Sequence, residues 1–446
     1  MKIDRPISRR GFVKSLVETG TAAATLAALG RSRPLWATQA QYYRALLCIY
    51  LAGGHDGNNL LIPLDIQRQA HYRTARGALA MPPAGLAPTG FVAGGLPYAL
   101  HPALTRLHSR YLDDRVALVL NTGNLIGPLD KSGLQQGAAA PANLFSHSDQ
   151  WVTAQVGVPR IDGTGWGGRL LDAVNAGSTS GGAVSTSGIC PFLVGKKGSG
   201  NAVPSGGVLS LAGLGIWPQS AAAARRQALL DTLATGGGSP LRLAANRAFA
   251  DGIQLAEDLA EVSALTWATP FPQDHLGRQL ETIANLIDLR RGQPGRQVFI
   301  ATLGGFDTHS GQAFALGDLF GQLDAALDAF YEATLQMGIA GQVTSFTLSE
   351  FGRTLQSNGD GSDHAWGNHQ VVLGGAVQGG LYGSLPDLGL GGDDDLNGRG
   401  VWIPTQSTEQ LAATLGRWFG MDESELDLAF PSLGAFQVRD LGFFQA

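Results

Sequence analysis

Residues 304–312 read G-G-F-D-T-H-S-G-Q, directly after the apolar run Q-V-F-I-A-T-L at 297–303. A turn behind a buried strand needs glycine, which reaches positive φ without strain. It needs neither Asp307 nor His309. Four other short segments carry similar groups: H-D-G-N-N (His55, Asp56, Asn58, Asn59), F-S-H-S-D-Q-W (Ser146, His147, Ser148), S-E-F-G-R-T (Glu350, Arg353) and G-S-D-H-A-W-G-N-H (Asp363, His364, His369). Imidazole nitrogen together with carboxylate oxygen suits zinc or manganese, whereas an oxygen-only set would suit calcium or magnesium. Asp307 and His309 therefore read as two ligands of a divalent ion projecting from one strand end.

The serine segment points to a second chemistry. A nucleophile at a helix start sits where backbone N–H groups and the helix dipole stabilise an anion. Ser146 is the first candidate and Ser148 the second, with His147 as proton donor or metal ligand. Arg353 could hold a non-bridging ester oxygen, since a guanidinium matches an oxyanion with two donors. Each group also has an ordinary reading. Asp56 could bond its own backbone, Glu350 could pair with Arg353, and Ser146 could simply cap a helix. His71, His101, His108 and Asp65 have nothing gathered around them and read as structural.

These segments gain weight from the elements before them. The runs at 45–52, 116–121 and 297–303 are apolar and read as strands buried on both faces of a parallel sheet, and Q-V-T-S-F-T-L-S-E at 342–350 reads as a fourth strand. Helical patterns follow at 101–112, 221–234, 241–264, 275–291 and 312–337, and Ser407 with Gln410 forms a capping-box pattern. Strand alternating with helix predicts an α/β domain with a mostly parallel central sheet flanked by helices. A Gly/Ser-rich insertion interrupts it at about 175–220. Ligand sites in such folds lie beyond the carboxyl ends of the strands, which is where the histidines and carboxylates fall.

The chain has 446 residues, 44% hydrophobic and 15% charged, with a net charge of −5. That length fits one large α/β domain or two ordinary ones, and the charge gives no basic footprint for nucleic acid. Two cysteines, Cys48 and Cys190, are too few for a disulfide framework, although one bridge between them stays open. The amino end is an address. Arg9 and Arg10 precede a small-residue apolar stretch that ends near Ala37 or Ala40, which reads as a removable signal of about 40 residues. The paired arginines resemble a twin-arginine export signal, which implies the twin-arginine translocase as partner and a periplasmic or secreted mature protein over 41–446. No later stretch reaches the 18 or so consecutive apolar residues of a membrane span.

Taken in order, L-A-G-G-H-D-G-N-N, F-S-H-S-D-Q-W, G-G-F-D-T-H, S-E-F-G-R-T and D-H-A-W-G-N-H resemble the DUF1501 family of exported bacterial proteins, grouped with the alkaline phosphatase and sulfatase superfamily. The resemblance runs from about Tyr43 to the end and implies an alkaline-phosphatase-like fold. It implies metal ligation by Asp56, Asp307, His309, Glu350 and His364, with Asp363 or His369 as substitutes for the last. It also implies a nucleophile near Ser146 or Ser148. Two positions depart from the superfamily pattern. Phe351 stands where a histidine ligand would follow Glu350, which weakens a two-metal site. No sulfatase-type cysteine is present, which speaks against a formylglycine enzyme.

The implied function is a metal-dependent hydrolase of phosphate or sulfate esters, acting on a small-molecule or glycan ester. Two alternatives use the same scaffold: a non-catalytic binding or envelope-assembly protein, and a phosphoryl-type transferase acting on envelope glycans. Fold does not choose among them.

Overall fold

Among the described residues a nine-stranded sheet forms the centre, and we number its strands in chain order. They are β1 (Arg44–Leu51), β2 (Val116–Gly123), β3 (Ala183–Ser185), β4 (Asn201–Ala202), β5 (Arg296–Leu303), β6 (Val343–Leu348), β7 (Asn368–Gly374), β8 (Gly380–Tyr382) and β9 (Gln406–Ser407). The spatial order is β8-β2-β7-β6-β1-β5-β3-β4, with β9 against β2. This computed structural model describes residues 43–445 except 83–85, 87–90, 94, 159–161, 175–181, 206–213, 215–216, 236–237 and 263–265. The expected export signal lies outside the described residues. Tyr43–Ala446 form one compact unit.

The sheet is mostly parallel, as the apolar runs predict. β1 lies between β5 and β6, parallel to both, while β7 runs antiparallel to β6 and β2. That reversal matters for the site. The start of β7, not its end, meets the carboxyl edge of its neighbours, so Asn368 and His369 arrive at the edge where β1, β5 and β6 finish. The described part of the Gly/Ser-rich segment is mainly loop, but its two short strands β3 and β4 extend the sheet beyond β5.

Burial on both faces accounts for the absence of alternation in the strands. Successive side chains of a strand point to opposite faces. Ala45, Leu47, Ile49 and Leu51 of β1 enter one core, and Leu46, Cys48 and Tyr50 enter the other. The helices that matter here are α1 (Ile66–Arg76), α2 (Thr105–Leu112), α3 (His147–Val156), α4 (Trp166–Val174), α5 (His275–Arg290), α6 (Gln312–Gln336) and α7 (Thr408–Phe419). The first core is closed by α2, α5 and α6, the second by α3, α4 and α7. Full burial of a leucine or isoleucine stabilises by roughly 1.5–3 kcal/mol, so the two-sided sheet is a rigid base for the loops at its edge. The helices expected at 221–234 and 241–264 form as Gln219–Ala234 and Pro240–Val262. Ser407 and Gln410 make the capping box at the start of α7. Cys48 and Cys190 are both free and buried. Among the described residues no helix is long and apolar enough to cross a membrane.

Candidate metal centre

Three loops and one helix meet at the carboxyl edge of the sheet. The D-T-H loop leaves β5 and is fastened to an antiparallel hairpin, Arg353–Ser357 with Ser362–His364, through Ser362 N–H to the Thr308 carbonyl at 3.2 Å. The loop behind β1 lies directly beneath it. Gly53 has φ +116°, and a Cβ there would sit 2.2 Å from the Asp307 nitrogen. Glycine is required at this point because the two strand ends touch through their backbones. Helix α3 delivers His147 from its first turn, and the hairpin delivers Asp363 and His364.

Oδ1 of Asp307 is the common point. It lies 3.1 Å from His309 Nε2, 3.3 Å from His147 Nε2 and 3.4 Å from His364 Nε2. The ligand atoms of His147, Asp307 and His364 fall within 4.8 Å of one another, as expected of a group that could hold a metal ion. His309 Nε2 is 2.9 Å from His364 Nε2.

The other nitrogen of each ring is held by an oxygen. His147 Nδ1 donates to Glu350 at 2.9 Å, His309 Nδ1 to Asp363 at 3.2 Å, and His364 Nδ1 to the Phe145 carbonyl at 2.8 Å. An oxygen acceptor at Nδ1 fixes the proton there and leaves the lone pair on Nε2. The lone pairs of His147 and His364 and one carboxylate oxygen thus lie close enough together to hold one ion, and the lone pair of His309 lies beside them, next to His364 and Asp307. Nε2 of His147 is buried and has no hydrogen-bond partner, which is costly unless something else occupies that locus. Burial opposes ionisation of Asp307, but the Arg353 guanidinium and then His147 and His309 outweigh it, holding the carboxyl at about 2. The nitrogen-rich donor set with one carboxylate fits zinc and manganese better than calcium or magnesium.

Several expected site residues stand elsewhere. Asp56 is not brought to this locus. Its Oδ1 caps the short helix Gly57–Leu60, and its Oδ2 is taken by Arg76 of α1 and by Gln312 of α6. Both side chains of the Asp56–Arg76 pair are fully buried, so a guanidinium occupies the place where a cation was expected. Glu350 and Asp363 lie behind His147 and His309 rather than beside the locus. Arg353 is not available to an ester: its side chain is 0% exposed and donates to Gly53, Gly54 and Ser362 carbonyls and to Asp307. It positions the carboxylate instead.

Ser146 opens α3 as expected, but as its N-cap, accepting from the Asp149 N–H. Ser148 is exposed, 3.2 Å from the Ser146 hydroxyl. His369 is buried and accepts through Nδ1 from the Asn121 N–H at 3.0 Å. Burial pushes it down to about 4. Phe351 packs against His147 and His364, ring centroids 4.8 and 4.6 Å away. It walls one side of both rings. Asn358 and Arg399 hold Asp363 behind His309, and sequence reading missed them. Arg399 is a lone arginine between glycines with its partner 36 positions away, and Asn358 sits in a turn where an asparagine has an ordinary reading.

The chain matches the model of a protein family of unknown function, DUF1501, over residues 43–427. It belongs to the DUF1501 family. No curated protein matches it. Among solved structures, a sulfatase from Pseudoalteromonas, PsFucS1, is similar at 12% identity and TM-score 0.35, over 94% of this chain and 76% of that one. A mutant of the alkaline phosphatase PafA is similar at 12% identity and TM-score 0.28, over 70% of this chain and 64% of that one. At these values neither likeness bears on the site of this DUF1501 protein.

Proposed function

We propose that this DUF1501 protein is an exported, divalent-metal-dependent hydrolase of phosphate or sulfate esters. One observation carries it: Nε2 of His147, Nε2 of His364 and a carboxylate oxygen of Asp307 lie within 4.8 Å of one another, with His309 beside them and each ring held from behind by an oxygen. His147, Asp307, His309 and His364 hold the ion, with zinc or manganese preferred. A bound ion there supplies Lewis acidity toward an ester oxygen and toward water. Arg353 keeps Asp307 ionised and oriented. Glu350, Asp363 and the Phe145 carbonyl keep the rings turned with Nε2 inward, the arrangement that outer partners of metal-bound histidines usually enforce.

With Ser146 engaged as a cap, the nucleophile we assign is water. Its oxygen bonds to phosphorus or sulfur, the ester oxygen leaves as an alcohol, and the two water protons end on the alcohol and the released acid. A second reading has support of its own. Ser146 and Arg353, the groups expected to attack and to grip an ester, are both committed to structure, which favours a non-catalytic envelope protein whose ion stiffens loops.

Elemental analysis of the purified protein, followed by a panel of phosphate and sulfate esters with added zinc or manganese, separates the two. Metal-dependent turnover that His309→Ala loses supports hydrolysis. Stoichiometric metal with no turnover on either ester class leaves the binding role. Metal content in His309→Ala equal to that of the wild type removes both.

A further inference from the structure

We propose that Arg399 is a positioning residue for the metal centre, acting through Asp363 on His309; this rests on the reading of that centre given above. The two oxygens of Asp363 face opposite ways. Oδ1 accepts from His309 Nδ1 at 3.2 Å and from Asn358 Nδ2 at 2.9 Å. Oδ2 accepts from Arg399 Nη2 at 2.6 Å. The same guanidinium donates through Nε to Gln356 Oε1 at 3.2 Å. Two acceptors on two different nitrogens fix the plane of the guanidinium, and the plane of the carboxylate follows from it.

The backbone under Arg399 is fixed as well. The Gln356 N–H donates to the Arg399 carbonyl at 3.0 Å and the Leu355 N–H to the Gly400 carbonyl at 3.1 Å. The loop therefore runs against the edge of the hairpin that carries Asp363 and His364. Gly400 has φ +74°, and a Cβ there would meet the Leu355 Cβ at 2.3 Å. Only glycine lets the loop come this close, which explains the G-R-G sequence around an arginine that reaches Asp363.

Such a pair contributes little to stability. The side chains of Arg399 and Asp363 are 42% and 31% exposed, and exposed pairs are worth about 0–1 kcal/mol. What the pair does is directional. With Arg399 in place, Asp363 can present Oδ1 to His309 Nδ1 in one orientation, which turns His309 Nε2 toward Asp307. Without it, the carboxylate can rotate and the ring is released from a fixed pose.

Zinc affinity, measured on the full-length protein by competition with a chromophoric chelator, tests this together with the visible absorption of the Co2+-loaded protein. Arg399→Ala should bind zinc about tenfold more weakly, the low end of the range for loss of an outer partner, and its Co2+ spectrum should change. Arg399→Lys should recover part of the loss, since a lysine keeps the charge but not the fork. The same replacement in an Asp363→Asn background should cost less than about twofold, because the route through Asp363 is already broken. Zinc affinity of Arg399→Ala within twofold of the wild type, or an equal loss in both backgrounds, overturns the proposal. His309→Ala tells the two failures apart. If it abolishes zinc binding while Arg399→Ala does not weaken it, only the role of Arg399 fails. If it binds zinc like the wild type, the centre itself is misassigned.

Discussion

Nε2 of His309 and Nε2 of His364 face each other across 2.9 Å, and both rings have their Nδ1 bonded to an oxygen. Two lone pairs cannot meet at that distance without a cation or a proton to share. On the proposed reading a divalent ion would satisfy both, with Asp307 and His147 as further ligands. A folded site that holds an ion far better than the unfolded chain is stabilised by about 4 kcal/mol when free metal exceeds Kd a thousandfold. Chelation should therefore lower the thermal midpoint of the wild type. His364→Ala should start from the lowered midpoint and not respond to chelator, whereas Ser148→Ala, on an exposed residue, should respond like the wild type.

The buried Asp56–Arg76 pair makes the opposite prediction for a residue first expected to be a ligand. Arg76→Ala leaves a carboxylate buried without its partner and should cost about 3–5 kcal/mol, read from denaturant unfolding. Asp56→Asn should leave metal content unchanged, since both oxygens are occupied inside the protein. Loss of metal in Asp56→Asn would restore Asp56 as a ligand.

Ser146 separates capping from catalysis. As an N-cap, its replacement by alanine should cost about 1 kcal/mol and leave turnover on any ester found by the panel within a factor of two. Abolished turnover with full metal content would make Ser146 the nucleophile and water the wrong assignment.

Glu409 of α7 carries a pH dependence of its own. It accepts from Val158 N–H at 3.1 Å and from the Ser432 hydroxyl. Burial pushes its carboxyl up from 4.5 to about 7, with the Ser432 and Val158 bonds and Arg169 opposing. A folded-state pKa above the unfolded one means the protonated form is favoured by folding. Its contribution is complete below about pH 4.5 and is lost as pH rises through 7. At about 1.4 kcal/mol per unit the difference is about 3 kcal/mol. Glu409→Gln should flatten the stability profile between pH 4.5 and 7.5 relative to the wild type. Equal slopes in the two proteins would show that Glu409 does not titrate there.

Local sequence determined four strands, β1, β2, β5 and β6, most of the long helices and the strand ends at which chemistry collects, whereas β7 and the short strands carry no comparable apolar run. Uninterrupted apolar runs mark strands buried on both faces, and Asp307 with His309 stands out because a glycine turn has no use for either. Ser407 and Gln410 announce their capping box three residues apart. These features are legible because their causes act over a few residues: periodicity, turn conformation and capping. Which groups meet was decided only by the tertiary structure. His147 and Glu350 are 203 positions apart, and Arg76 and Asp56 are paired by the path of α1 across the hairpin at 353–364. A carboxylate is a ligand, a clamp or a counter-ion according to what stands opposite it, and that depends on the antiparallel entry of β7 and the close approach at Gly53. Neither the burial of Arg353 nor the role of Arg399 has a signature in its neighbours along the chain, because each acts through a partner that only the packed sheet edge supplies.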